Sequence, residues 1–322
     1  MRRKVDLSKY QERPHPTLEL EEVSEEEKEK KLFEAGKVAK EILQALKEMT
    51  KPGVKALDLC LAADKMIKEK GLKPSFPLNV SINHVAAHYT SPPEDPLVIR
   101  KGDVVKLDLG THTDGFIADT ALTVDLGKNP DLVKASIEAT EAATDLIRPG
   151  TNTRDLGAII EDIITGYDLR PIVNLSGHLV ERYVVHGHKT VPLTGKKGGD
   201  IVEEGDVFAI ETFASTGAGE IRADPTRTNI FRASSFPVKI RSTAARKVYK
   251  VAAEEFGGLP FAERWLYDHL SKREILLGMR ELRRVEGIIG YNVLVETDKV
   301  ALVSQHEHTM IITSDGAKVT TL

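Results

Sequence analysis

Cysteine is almost missing from this chain. Of 322 residues only Cys60 carries a thiol, so no intramolecular disulfide and no Cys-rich zinc site can form. That scarcity fits a reducing compartment and leads us to expect a cytoplasmic protein. Aromatic residues make up only 5%, with a single Trp, and no run of apolar residues is long enough to predict a membrane-spanning helix. The basic start (Met1, Arg2, Arg3, Lys4) is followed from Val5 to Glu21 by text too polar for a signal peptide. Neither sign of charge dominates: 45 Lys and Arg face 49 Asp and Glu, a net charge of −4. This gives no argument for nucleic acid or a membrane surface as the main partner. Also missing are a fixed-period repeat, a Walker A loop, a Rossmann glycine fingerprint and a His-Glu-x-x-His pair, which removes the commonest nucleotide and zinc-protease readings.

What remains is a soluble globular composition, 41% apolar and 29% charged, in a chain long enough for two average domains or one large one. Residues 1–23, with Pro14 and Pro16 and the basic cluster, read as an irregular extension. Ser24 followed by Glu27 is a helix-start signature, and Glu25 to Met49 places Leu32, Phe33, Ala39, Ile42, Leu43 and Leu46 at helical spacing up to Pro52 and Gly53. Further helices are expected over Ala56–Lys70, Pro130–Ile147 and Thr153–Ile164. Strands are expected over Val104–Leu109 and Phe116–Val124, joined by the hairpin signal Asp114-Gly115, and again near Asp206–Phe213 and Val300–Thr313. Between about Phe231 and Gly287 the text turns rich in Arg, Lys, Glu and Leu, with helical spacing over Lys239–Phe256 and Ala262–Val285. It reads as a helical insert between strands.

The informative feature is acidic residues inside strands otherwise fit for a core, where an unpaired carboxylate is expensive to bury. Asp108 lies within Val104–Leu109 and Asp119 within Phe116–Leu122. Glu211 lies within Val207–Phe213 and Glu307 within Leu302–Ile312. With an even-numbered hairpin loop, Asp108 and Asp119 share one face as direct or diagonal neighbours; an odd loop would separate them. Each acid alone is ordinarily explained as a strand-edge residue paired with Lys or Arg. Four together, with seven of the ten histidines clustered (His84 and His88; His178, His186 and His188; His306 and His308), make a plausible carboxylate-rich two-metal site.

These residues also carry a family resemblance. The segments Phe76–Asn83 and Ala86–Thr90, Lys106–His112 with Asp119, Asn174–His178, His186 with Lys189–Pro192, Ile210–Phe213 and Gln305–Thr309 resemble, in order, the motifs of the type II methionine aminopeptidases of the pita-bread superfamily. In size the chain is similar to the archaeal branch, and the likeness runs from about residue 30 onward. It implies an α+β pita-bread fold, a curved antiparallel sheet covered by helices, with residues 24–230 and 288–322 forming one catalytic domain around an insert at 231–287. By the same resemblance the metal ligands are Asp108, Asp119, His178, Glu211 and Glu307, holding two divalent ions (Co, Mn, Fe or Zn). Glu211 is the implied proton shuttle and His88 and His186 the substrate-contacting histidines. Phe76, Val185 and Tyr291 are the implied methionine pocket; Tyr291 needs one alignment gap, and core packing is an equal account of Phe76 and Val185.

The implied activity is removal of the initiator methionine from nascent chains with a small second residue, by a water activated between the two ions. Prolidases and X-Pro aminopeptidases share the ligands but lack the Ala-Ala-His-Tyr-Thr and His-x-x-Lys-Thr-Val-Pro contexts seen here. A non-catalytic ribosome- or RNA-binding relative would have lost the ligands, which are all present. The chain departs from the family pattern at His84, His188 and His306, and Asn229 stands about where some relatives carry another pocket histidine. A monomer is expected, without specific nucleic acid. The insert's Lys247, Lys250, Arg264, Lys272, Arg273, Arg280, Arg283 and Arg284 suggest either transient ribosome association or a solvated helix face, the latter being the commoner case.

Overall fold

The computed structural model describes residues 11–196 and 198–322; Arg2, Arg3 and Lys4 of the extension lie outside them. Helices α1 (Glu25–Met49) and α2 (Ala56–Glu69) come first. Strands β1 (Lys73–Ile82), β2 (Val85–Ala87), β3 (Val104–Thr113) and β4 (Phe116–Asp125) follow, then helices α3 (Pro130–Leu146) and α4 (Thr153–Gly166). Next come β5 (Arg170–Pro171), β6 (Ser176–Leu179), β7 (Thr190–Pro192), β8 (Val207–Ser215) and β9 (Ile221–Ala233). The chain ends with α5 (Thr243–Phe256), β10 (Phe261–Ala262), α6 (Lys272–Arg284), β11 (Ile288–Glu296), β12 (Val303–Ile312) and β13 (Ala317–Val319).

The helices begin where the chemistry of their first turns directs. The Ser24 hydroxyl accepts from the Glu27 N–H, with Glu25, Glu26 and Glu27 lying at the positive end of the α1 dipole, a cap contributing about 1 kcal/mol. Pro130 opens α3 and the Asn152 side chain caps α4. Each helix buries one stripe. Leu43 and Leu46 of α1 and Ile67 of α2 pack with Val105, Leu107 and Leu109 of β3. Ala135, Ala139 and Ala143 give α3 a small-residue face that lies close against β8 and β12, beside Phe208, Ile210 and Met310.

Among the described residues all strand pairing is antiparallel. The larger sheet runs β1-β3-β4-β12-β8-β6-β7, with β13 added on β12 and β5 on β8. Because side chains alternate across a strand, Leu107 and Leu109 enter the helix-covered core while Asp108 between them faces the other way. That second face is where the site lies.

A smaller sheet, β10-β9-β11-β2, stands beside it. Here the structure corrects two expectations. The expected helix from Lys239 begins only at Thr243, capped by Ser242. The expected helix over 262–285 is divided: Phe261 and Ala262 pair with Phe231 and Ile230, Glu263–Asp268 is a 3₁₀ helix, and Ser271 restarts an α-helix with a reciprocal cap to Glu274. In both cases a Ser hydroxyl accepting from the N–H three residues on sets where the α-helix starts. Strands β9 and β11, unforeseen, clamp this segment through an antiparallel ladder that shifts register on either side of Asn292. Its apolar core joins Val248, Ile275, Met279 and Leu282 to Phe231, Phe261 and Ile288.

The basic face expected there also changes. Arg264 is buried and points inward, its guanidinium held by Asp64 at 2.9 Å and by the Thr90 hydroxyl at 2.7 Å. Lys247 and Arg284 pair with Glu274 and Glu281, and Arg283 lies over the Phe231 ring.

Candidate metal centre

Strand register assembles the centre. The hairpin loop is the two residues Asp114 and Gly115, so Asp108 pairs with Ala121 and Asp119 with Gly110. This is the even loop, and the two aspartates are diagonal neighbours on one face. Across the sheet, Ala121 pairs with Glu307 and Glu307 with Glu211, which gives the row Asp108, Ala121, Glu307, Glu211 over four strands. Two residues along lies a second row: Asp119 on β4, Thr309 and Ala209 on β12 and β8, and His178, paired with Ala209, on β6. Five candidate ligands from five strands therefore share one face, spaced by the small residues Ala121 and Ala209.

At the middle of this arrangement β4 and β12 keep only one backbone bridge, Ala121 with Glu307. Threonine hydroxyls replace the missing ladder. Thr309 Oγ1 accepts from the Asp119 N–H at 2.8 Å and donates to the Asp119 carbonyl at 2.7 Å. Thr120 and Thr123 donate to the carbonyls of Glu307 and Gln305. The joint holds the two acidic strands together through hydroxyls, without engaging the carboxylates.

The electrostatics ask for a cation. Asp119 and Glu307 are 3% and 1% exposed, and among the described residues no Lys or Arg pairs with Asp108, Asp119, Glu211 or Glu307. Burial pushes the Asp108 carboxyl up to about 7. Burial, then the Asp108 charge, pushes Glu211 up to about 8. Asp119 and Glu307 are raised well above the carboxylate range by burial and by the other acids. Asp108 Oδ1 and Asp119 Oδ1 have no hydrogen-bond partner, a state that costs on the order of 1–3 kcal/mol for each such atom. One ligand atom each from Asp119, His178 and Glu307 lies within 4.8 Å of the others. Burial holds the His178 imidazole at about 3, in the neutral form a metal ligand requires. Hard oxygen donors with one imidazole, short of positive charge and with free lone pairs, fit divalent metal.

Above this floor is a cavity of about 240 Å³. All ten residues expected at the site border it: the five candidate ligands, His88, His186, Phe76, Val185 and Tyr291. Its walls also include Phe213, Ile230 and Pro260. Phe76 reaches the cavity because its β3 neighbour is Gly110; a Cβ there would stand 2.2 Å from the Phe76 ring and 2.1 Å from Ser75 Oγ. His88 sits at φ 62° directly after β2, and its Nδ1 lies 3.3 Å from the Asn292 carbonyl. Burial, with the His186 charge, lowers it to about 4, so it is neutral. His186 differs. Burial opposes its cation, but Glu12 at 2.8 Å, joined by the charges of Glu211 and Asp108, more than offsets this and raises its pKa.

The other singled-out histidines lie elsewhere. His306 and His308 project to the helix side, their rings 4.9 Å apart, and His84 and His188 do not border the cavity. Asn229 donates to the Thr90 carbonyl and is likewise absent from the wall. Sequence reasoning did not single out three contributors. Gln305, inside a quoted motif, donates to Glu211 at 3.1 Å. Asn79 pairs with Asp108 across β1 and β3 and borders the cavity. Glu12 reaches the site from the extension, where no pattern announces it.

Comparison with known proteins agrees with this geometry. Residues 30–251 match the model of metallopeptidase family M24. The chain belongs to that family. It is 41% identical over 292 residues to a methionine aminopeptidase of Thermococcus onnurineus, covering 90% of this chain and 98% of the relative. It is 42% identical to the one of Archaeoglobus fulgidus, over 92% and 99% of the two chains. Among solved structures, a thermophilic Arx1 shares the fold with a TM-score of 0.80 at 22% identity, over 93% of this chain and 91% of that one. A methionine aminopeptidase of Thermotoga maritima shares it with a TM-score of 0.66 at 21% identity, over 94% and 99%. The fold is the pita-bread fold, and the M24 chain described here is a metal-dependent aminopeptidase. No helix among the described residues is long and apolar enough to cross a membrane.

Proposed function

We propose that this M24 aminopeptidase removes the initiator methionine from nascent cytoplasmic chains whose second residue is small. The observation that supports this most is the juxtaposition of a five-ligand acidic floor with an apolar cavity large enough for one side chain and its α-amine. Two divalent ions, of Co, Mn, Fe or Zn, would supply a water acidified toward neutral pKa and an electrophilic contact for the scissile carbonyl. In this reading Asp108, Asp119, His178, Glu211 and Glu307 would hold the two ions. Glu211 carries the proton from the attacking water to the leaving amine, work suited to a carboxylate held close to both. His88 and His186, on the cavity wall, contact the substrate and stabilise the negative oxygen that develops on its carbonyl. Phe76, Val185 and Tyr291 enclose the methionine side chain, whose thioether packs well against aromatic rings.

The same reading takes residues 231–287 as an insert in a catalytic domain formed by 24–230 and 288–322, in a monomeric enzyme that meets nascent chains at most transiently on the ribosome. The test of substrate class is a panel. Met-Ala-Ser, Leu-Ala-Ser, Met-Pro and Ala-Pro peptides are offered to the metal-loaded protein, and free amino acids are measured. Release of methionine from Met-Ala-Ser alone is expected; preferential cleavage of Ala-Pro would assign a proline-directed peptidase instead.

A further inference from the structure

We infer that Glu12, delivered by the N-terminal extension, is a positioning residue that fixes His186 and Tyr291 at the substrate cavity. The inference rests on the aminopeptidase reading of that cavity and adds a part to it. Glu12 Oε2 accepts from the Val185 and His186 N–H groups at 3.0 and 3.1 Å. Oε1 accepts from His186 Nδ1 at 2.8 Å and from the Tyr291 hydroxyl at 2.5 Å. One carboxylate thus uses four donors and ties three wall residues together, and its side chain is 9% exposed. Charge-assisted bonds to both oxygens make the carboxylate a rigid bracket. It obliges His186 to keep a proton on Nδ1, leaving the other ring nitrogen for the cavity.

The segment that carries Glu12 is itself docked. The His15 N–H donates to the Gly257 carbonyl at 3.0 Å, and His15 Nε2 lies 3.1 Å from the Tyr249 hydroxyl on α5. The Arg13 guanidinium lies 4.3 Å over the Phe236 ring. The Gln11 carbonyl accepts from the buried Arg232. Gly258 permits the approach: its φ is +94°, and a Cβ there would meet His15 N at 2.9 Å and Arg13 O at 3.0 Å. The extension, docked on β9, α5 and their flanking loops, therefore forms one structural unit with the cavity wall. The family model starts only at residue 30, so this bracket is an addition outside it. Glu12 does not border the cavity, which stays open at about 240 Å³. That placement, behind His186 and Tyr291, suits support and not obstruction.

The test compares the full chain with Glu12→Gln and Glu12→Ala, loaded with zinc and labelled with ¹⁵N-histidine. In the unaltered protein the His186 ring spectrum is expected to show a protonated Nδ1; in Glu12→Ala that signal is expected to shift toward the other tautomer. On Met-Ala-Ser, kcat is expected to fall about 10- to 100-fold, the range for carboxylates that orient a functional histidine. KM should change much less, and Glu12→Gln, which keeps shape and one acceptor, should lie between. A His186 spectrum indifferent to Glu12→Ala overturns the inference, as does an unchanged kcat. So does faster turnover in Glu12→Ala, which would make the segment an obstruction. If the unaltered chain releases no methionine, the substrate reading fails, while the His186 spectrum still decides the role of Glu12.

Discussion

Removing divalent ions and raising the pH should destabilise this protein steeply, because four carboxylates then ionise against one another in a buried site. The Asp108 carboxyl stands at about 7 instead of 3.8, and Glu211 at about 8 instead of 4.5. Both are raised in the folded state, so between about pH 4 and pH 8 the folded chain binds more protons than the unfolded one. Unfolding free energy therefore falls as pH rises through that window. At about 1.4 kcal/mol for each unit, either group alone is worth on the order of 4 kcal/mol at pH 8. Their titrations are shared, so the sum is not twice that. His186, raised by Glu12, loses its contribution in the same direction as pH rises through its folded pKa. Glu12, held at about 2 by His186 and its donors against burial, contributes above its unfolded pKa and lies outside the window. The assay is thermal or urea unfolding at pH 5 and pH 8, with chelator and with added Mn or Zn. In chelator, Tm should drop by on the order of 10 °C between the two pH values; with bound ions most of that drop should vanish. Equal stability at both pH values without metal, or a pH effect that metal leaves untouched, would refute the electrostatic account.

Other consequences are sharp. Glu211→Gln should lower kcat by about 10²- to 10⁴-fold, the span of positioned acid–base groups, while circular dichroism stays that of the parent; a variant with near-parent turnover removes Glu211 from proton transfer. Gly110→Ala drives a methyl group into the Phe76 ring and Ser75. It should cost about 1–3 kcal/mol of stability as an overpacked site and raise KM for methionyl peptides, measured by urea unfolding and steady-state kinetics. Arg264→Ala leaves Asp64 and the Thr90 hydroxyl without their partner. Because Asp64 keeps some solvent contact, a loss of about 1–3 kcal/mol is expected for the lost charged hydrogen bonds, visible in urea titrations; no measurable loss would mean the 231–287 segment docks without it.

Much of this was legible in the text because the governing signals are local. Helical spacing and caps located α1 to α4 to within a few residues, and Asp114-Gly115 announced the hairpin whose two-residue loop makes Asp108 and Asp119 neighbours. The acids stood out because a carboxylate in a core strand contradicts its surroundings. What was not legible depends on distant pairing. Strands β9 and β11 hold one another across more than fifty residues of intervening chain, and neither has a strong alternation of its own. The division of the helix over 262–285 reflects β10 joining β9, a tertiary pairing that overrides helical spacing. Arg264 reads as one more basic surface residue until Asp64, two hundred positions away, faces it. Glu12 is the plainest case, an ordinary glutamate in irregular chain whose meaning comes only from the donors that the fold brings to it.

The central claim is that this chain's acidic floor works with divalent metal to cleave a methionyl peptide bond. The direct measurement is release of free methionine from Met-Ala-Ser by the full chain, first dialysed against chelator and then supplied in turn with Mn, Co, Fe and Zn. The account predicts no release without metal and restored turnover with at least one of the four. Absence of cleavage with every ion, or cleavage equally fast after metal removal, would contradict it.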